Sequence, residues 1–176
     1  MLRRETIAAI AVGMAMTVAH ASGPSRDVSY AMPEARLIGT ADFNWLFWDL
    51  FDASLWSADG LFSWDRPFAL SLTYRTDFSG GELTQSTVEE LERVTDWSDS
   101  DLAAFRNRIA SCMADVQAGD RFTAMGPDPD TVVLYLNSEE RCQLSGTGLR
   151  RDYFGIWLSK KSRFPMKSRE LTGRSS

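Results

Sequence analysis

Histidine is nearly missing from this chain of 176 residues, and the single one is His20. Met1-Leu-Arg-Arg followed by the apolar run Thr6 to Val18 and the small-x-small site Ala19-His-Ala21 has the layout of a secretory leader. Cleavage after Ala21 would leave a chain with no histidine. That excludes Ser-His-Asp and Cys-His nucleophiles, His-ligated zinc and the usual proton shuttle near neutral pH. Cysteine is scarce as well, with two residues, Cys112 and Cys142. There is no Cys-x-x-Cys, no Gly-rich phosphate loop, no Gly-x-Ser-x-Gly and no Asp-rich calcium loop. No cofactor and no metal are implied.

Other absences narrow the class further. The apolar run in the leader is shorter than the roughly 20 residues a spanning helix needs, and no later stretch reads as a transmembrane segment. The formal net charge is −5, and the leader would remove Arg3, Arg4 and Glu5, leaving a slightly more acidic remainder. With no basic stripe, nucleic acid and anionic membrane surfaces are poor partners. The cations gathered late in the chain (Arg150, Arg151, Lys160, Lys161, Arg163) read as a solvated rim. There are no internal repeats.

What is abundant is aromatic and apolar side chains in short blocks. Phe43 to Trp56 carries apolar residues on both parities, which predicts a central strand covered on both sides. Ser22 to Asp27 reads as a loose polar start to a lead-in that extends to residue 34, and Ala35 to Gly39 as a short extended piece. Residues 35–173 then form one domain, of a size that buries a core without staples. After a turn at Ala58-Asp-Gly60, Phe68 to Thr76 alternates cleanly and predicts a half-buried strand. Ser79 with Glu82 has capping-box spacing and opens a helix with Leu83, Thr87, Leu91 and Val94 on one stripe. Ser98 and Asp101 open a second, with Leu102, Phe105, Ile109 and Cys112 on its stripe.

Three short strands follow, at Arg121 to Met125, Thr131 to Asn137 and Arg141 to Ser145, the last two joined by a Ser-Glu-Glu turn. Arg151 to Leu158 reads as a closing helix with Phe154, Trp157 and Leu158 inward. The expected class is α+β, one antiparallel sheet with helices packed on one face. In an exported protein Cys112 and Cys142 can pair; unpaired, each is a small buried apolar residue.

Four segments in order resemble the bacterial chalcone isomerase-like exported proteins across nearly all of the chain after the leader. They are Phe47-Trp-Asp-Leu-Phe-Asp-Ala-Ser-Leu55, Pro67-Phe-Ala-Leu-Ser-Leu-Thr-Tyr74, Asp115-Val-Gln-Ala-Gly-Asp-Arg121 and Phe154-Gly-Ile-Trp-Leu158. The resemblance implies the chalcone isomerase fold, an open-faced antiparallel sheet with a helical layer and a ligand cleft, and a periplasmic location. Plant-type enzymes of that fold close a flavanone ring with an Arg that holds the phenolate and with Thr and Tyr hydroxyls. The Thr position falls near Leu46 and the Tyr position near Leu83, neither of which can donate a hydrogen bond. The Arg position falls near Arg36.

Fatty-acid binding proteins of the same fold keep the Arg for a carboxylate, and also the Tyr that this chain lacks at that position. The favoured expectation is therefore a non-catalytic module that binds a fatty acid or similar amphiphile. Arg36 would be its anchor, Arg75 the alternative anchor, and Leu46, Trp48, Leu50 and Leu83 its apolar wall. The alternative is an intramolecular lyase or isomerase acting on a phenolic or enone compound, with Tyr74 as hydroxyl donor. A third possibility is an aromatic surface that meets a protein partner.

Overall fold

A computed structural model describes residues 23–45 and 48–174 of the chain, without the side chains of Trp45 and Trp48. The leader and Leu46 lie outside the described residues. Six strands form a single sheet in sequence order: β1 (Arg36–Trp45), β2 (Trp48–Ser57), β3 (Phe68–Tyr74), β4 (Arg121–Gly126), β5 (Thr131–Leu136) and β6 (Glu139–Ser145). Every neighbouring pair is antiparallel. The helices α2 (Gly80–Val94) and α3 (Asp99–Ala110) fill the connection from β3 to β4, while α4 (Leu149–Leu158) and α5 (Pro165–Leu171) follow β6. Among the described residues no helix is long and apolar enough to cross a membrane.

The expected single strand at 43–56 is instead a hairpin, β1 turning into β2. An apolar block on both parities does not by itself distinguish one two-sided strand from two strand ends that meet at a turn. The central strands are β3 and β4, and β1 is an edge. Phe68, Leu70, Leu72 and Tyr74 of β3 face the core shared with α2 to α4, as the alternation predicts. The other side of β3 is buried too, so it is not the half-buried strand expected.

The cover on that second side is α1 (Arg26–Ala31), in the lead-in read as loose up to Asp27. Val28 of α1 packs with Trp56, Ala69, Met125 and Val133 in a small second core. The main helical layer lies on one face, as expected, and the short α1 alone covers part of the second. The sequence pattern hid it because a helix of six residues offers less than two turns of periodicity.

Local chemistry accounts for most of the remaining elements. Both capping boxes form, Ser79 with Glu82 and Ser98 with Asp101, which satisfies amides that the helix start leaves open. Leu91 and Ile109 are fully buried, each contributing about 1.5–3 kcal/mol through burial. The β5–β6 turn falls at Asn137 and Ser138, with φ of 51° and 72°, one position earlier than the expected Ser-Glu-Glu. That pair of left-handed residues suits a two-residue hairpin. A helix that the pattern did not predict, α5, seats its C-terminal end on β1, where a Cβ on Gly39 would lie 2.2 Å from the Glu170 carbonyl oxygen.

Cys112 and Cys142 are joined in a disulfide with Cα atoms 5.5 Å apart. It ties the turn after α3 to the edge strand β6. With a sequence separation of 30 between the partners, loop closure gives about 3–4 kcal/mol of stabilisation. Replacing both with Ala should lower unfolding free energy by about that amount in a denaturant titration; an unchanged midpoint would show that the tie is energetically idle.

Asp27 of α1 is buried between sheet and helix, with its Oδ1 accepting from Ser138 Oγ at 3.0 Å. Burial pushes its carboxyl upward, but the neighbouring hydroxyls, with Ser138 in direct hydrogen bond, outweigh that and hold it below the usual aspartate value of 3.8. A depressed folded-state value means stabilisation that is complete above about pH 4 and lost as the pH falls further. Between neutral pH and pH ~3 the wild type should therefore lose more stability than Asp27→Asn. Parallel losses in urea titrations of the two proteins would show that Asp27 is not the source of the acid sensitivity.

Candidate ligand-binding cleft

The helical layer does not close completely over the sheet. A cleft of about 440 Å³ remains between the helix-facing sides of β1 to β4 and the inner faces of α2 and α4. Its floor is Phe43, Phe51, Leu70, Leu72, Phe122 and Ala124, all from strands. Leu83 and Thr87 of α2 form one wall, and Tyr153, Ile156 and Trp157 of α4 the other. Arg163 and Phe164, from the link between α4 and α5, complete the rim. The volume lies inside the range of about 300–1,000 Å³ common to small-molecule sites.

Leu50 lines this cleft although its parity would place it on the opposite face of β2. The register explains it: Phe43 pairs with Phe51, the next step pairs Asn44 with Asp49, and Leu50 is left without a partner. A bulge of this kind re-aims one side chain and bends the strand. Phe43 and Phe51 stack beneath it with ring centroids 4.8 Å apart.

The residues singled out from sequence separate clearly. Leu50 and Leu83 come together in the cleft. Trp48 begins β2, and Leu46 is outside the described residues. Arg36 is exposed at the start of β1, paired with Ser57 and absent from the lining. The hairpin explains that placement: Arg36 lies seven residues along the strand from Phe43, or about 23 Å at the usual rise. Arg75 follows β3 and is exposed, with its guanidinium clasped by Asp52 at 2.9 and 2.7 Å and near Asp49 at 3.6 Å.

Polar groups in the lining are few and mostly occupied. Thr87 Oγ1 and Ser86 Oγ both donate back to the Leu83 carbonyl, at 2.7 and 3.2 Å. Arg163, which reads as solvated rim in the sequence, reaches Glu90 through Nε and Nη2, each at 2.6 Å from Oε1. Arg93 bonds the other oxygen of Glu90, with Nε at 2.9 Å. Glu82 and Glu89 also border the cleft; hydrogen bonds from the Ser79 amide and hydroxyl hold Glu82 below the usual carboxylate range.

Tyr74 and Tyr153 differ from these. They are 6% and 3% exposed, both line the cleft, and neither hydroxyl has a hydrogen-bond partner among the described residues. Tyr74 packs its ring against Phe51 and Phe78, and burial raises both phenols well above their ordinary range. Tyr153 is not among the residues singled out from sequence, although Leu149, Tyr153 and Ile156 make a helical stripe that could have found it. Among the described residues no cluster of three His, Cys, Asp or Glu could hold a metal.

No protein-family model matches the sequence, and no curated protein matches it. Among solved structures, a fatty-acid binding protein from Arabidopsis thaliana is similar, with a TM-score of 0.58 over 80% of this chain and 90% of that one. Sequence identity between the two is 9%. The fold is chalcone isomerase-like. At that identity the likeness fixes architecture and leaves the contents of the cleft to its own residues.

The cleft is a void that Ala124, on central strand β4, can be used to fill. Ala124→Phe should displace a hydrophobic fluorophore from the cleft while costing no more than the roughly 1–3 kcal/mol of ordinary overpacking. Ala53→Phe, at a fully packed position outside the lining, should cost at least that much stability. Equal destabilisation with undiminished fluorophore uptake at Ala124 would show the cleft is not the uptake site.

Proposed function

We propose that this is an exported chalcone isomerase-like binding module that holds a small hydrophobic or amphiphilic molecule, of fatty-acid type in shape. The observation that carries the reading is the cleft itself, apolar on its floor and both walls and roofed by α2 and α4. The ligand-contacting set would be Leu50 and Leu83 with Phe51, Leu72, Tyr153 and Trp157. The leader-like N-terminus supports export to the periplasm, and the four family-like segments support descent from the bacterial exported group. The fatty-acid binding of a structurally similar plant protein is consistent with this use of the fold.

Arg36 and Arg75 do not serve as head-group anchors in this reading, because neither borders the cleft. The second reading, an intramolecular lyase or isomerase on an enone, draws on the Tyr74 hydroxyl at the cleft. Against it stands Leu83 at the family's Tyr position.

Mass spectrometry of an organic extract, from protein purified without detergent, decides between them. Binding predicts a hydrophobic compound near one equivalent in the wild type and its loss in Ala124→Phe. A clean extract together with chalcone turnover above background would replace the binding module with the isomerase.

A further inference from the structure

Resting on the binding reading, we propose that the ligand is an uncharged carbonyl compound, a long-chain ketone or ester, whose oxygen accepts hydrogen bonds from Tyr74 and Tyr153. The two hydroxyls carry the argument. Both residues are more than nine-tenths buried, both border the cleft, and neither hydroxyl is partnered within the described protein. Neither oxygen is among the fully buried unpartnered atoms, so both hydroxyls open onto the cleft, where its occupant can take the place of water as their partner. A carbonyl oxygen has two lone pairs and can accept from both phenols at once. With their phenols raised by burial, both tyrosines remain donors at any physiological pH.

The charges around the cleft disfavour the anion of a fatty acid. Among the described residues, three carboxylates, Glu82, Glu89 and Glu90, border it against one guanidinium, Arg163. That guanidinium already holds Glu90, which Arg93 also holds. A carboxylate head would enter beside Glu82 and Glu89, which are exposed at the rim, and like charges repel, though solvent weakens the effect there. A neutral carbonyl avoids that penalty and still meets the tyrosines.

The test is displacement of the neutral fluorophore N-phenyl-1-naphthylamine at neutral pH. The competitors are a fatty acid, its methyl ester, a methyl ketone and an alkane, all of one chain length. The expected result is that ester and ketone bind at least about tenfold more tightly than the acid. Tyr74→Phe and Tyr153→Phe should each weaken the ketone about threefold to tenfold, the range of one neutral hydrogen bond. Alkane binding should be unchanged in both, which separates a lost hydrogen bond from a damaged fold. Acid binding as tight as ketone, or ketone binding unchanged in both Phe variants, would overturn this inference and leave the binding module standing. If neither the fluorophore nor any competitor enters the cleft, the binding module itself fails.

Discussion

The contact between Phe68 and Phe154 is the one on which the arrangement of this molecule depends. Both rings are at most 1% exposed, with centroids 4.7 Å apart, and they press α4 against central strand β3. One turn earlier, Arg150 is buried over the Phe68 ring. Its guanidinium bonds the Trp64 carbonyl and, at 3.4 Å, that of Gly126. Burial lowers its pKa, yet a guanidinium gives up its proton so reluctantly that it stays charged and must find acceptors. Main-chain oxygens of the 58–67 loop and of β4 supply them. A loop, a strand and a helix are thus fixed to one another by a single side chain.

With α4 held at that point, its remaining inward residues and those of α2 set the depth of the cleft. The two helices are bridged at the rim, where Glu90 of α2 meets Arg163 from the link after α4. A partly exposed pair of this kind contributes about 0–1 kcal/mol, so the apolar packing behind it holds the roof. The carboxylate is shared, because Arg93 holds its other oxygen, so the guanidinium in the lining is fixed in place beside Glu90. The recognition chemistry left to the cleft is apolar surface with two buried phenols, a combination suited to shape and to a neutral oxygen.

The second face of the sheet is closed in a different way. It is covered only by the short α1, whose Val28 and Asp27 are both buried. Ser71 and Thr123 meet beneath it at 3.1 Å, so a polar strip runs under a helix too short to be stable alone. That face is closed by tertiary contacts, and the cleft lies wholly on the other.

The sequence alone was enough for the parts governed by short-range physics. Two capping boxes, the stripes of α2 and α3, the alternation of β3 and the meander β4 to β6 are readable because each is decided within a few residues. The scarcity of histidine limits the chemistry whatever fold the chain adopts. Tertiary structure decided the rest. Whether Phe43 to Trp56 was one strand or a hairpin depended on the pairing of β1 with β2, which apolar composition did not mark, and Arg36 lies at the far end of β1 from the cleft. Leu50 reached the cleft through a bulge, and Arg163 joined the rim through Glu90, a partner 73 residues away in sequence. The phenols of Tyr74 and Tyr153 acquired meaning only when the fold buried their rings at the cleft with no hydrogen-bond partner among the described residues, since burial belongs to the whole packed molecule rather than to any local segment.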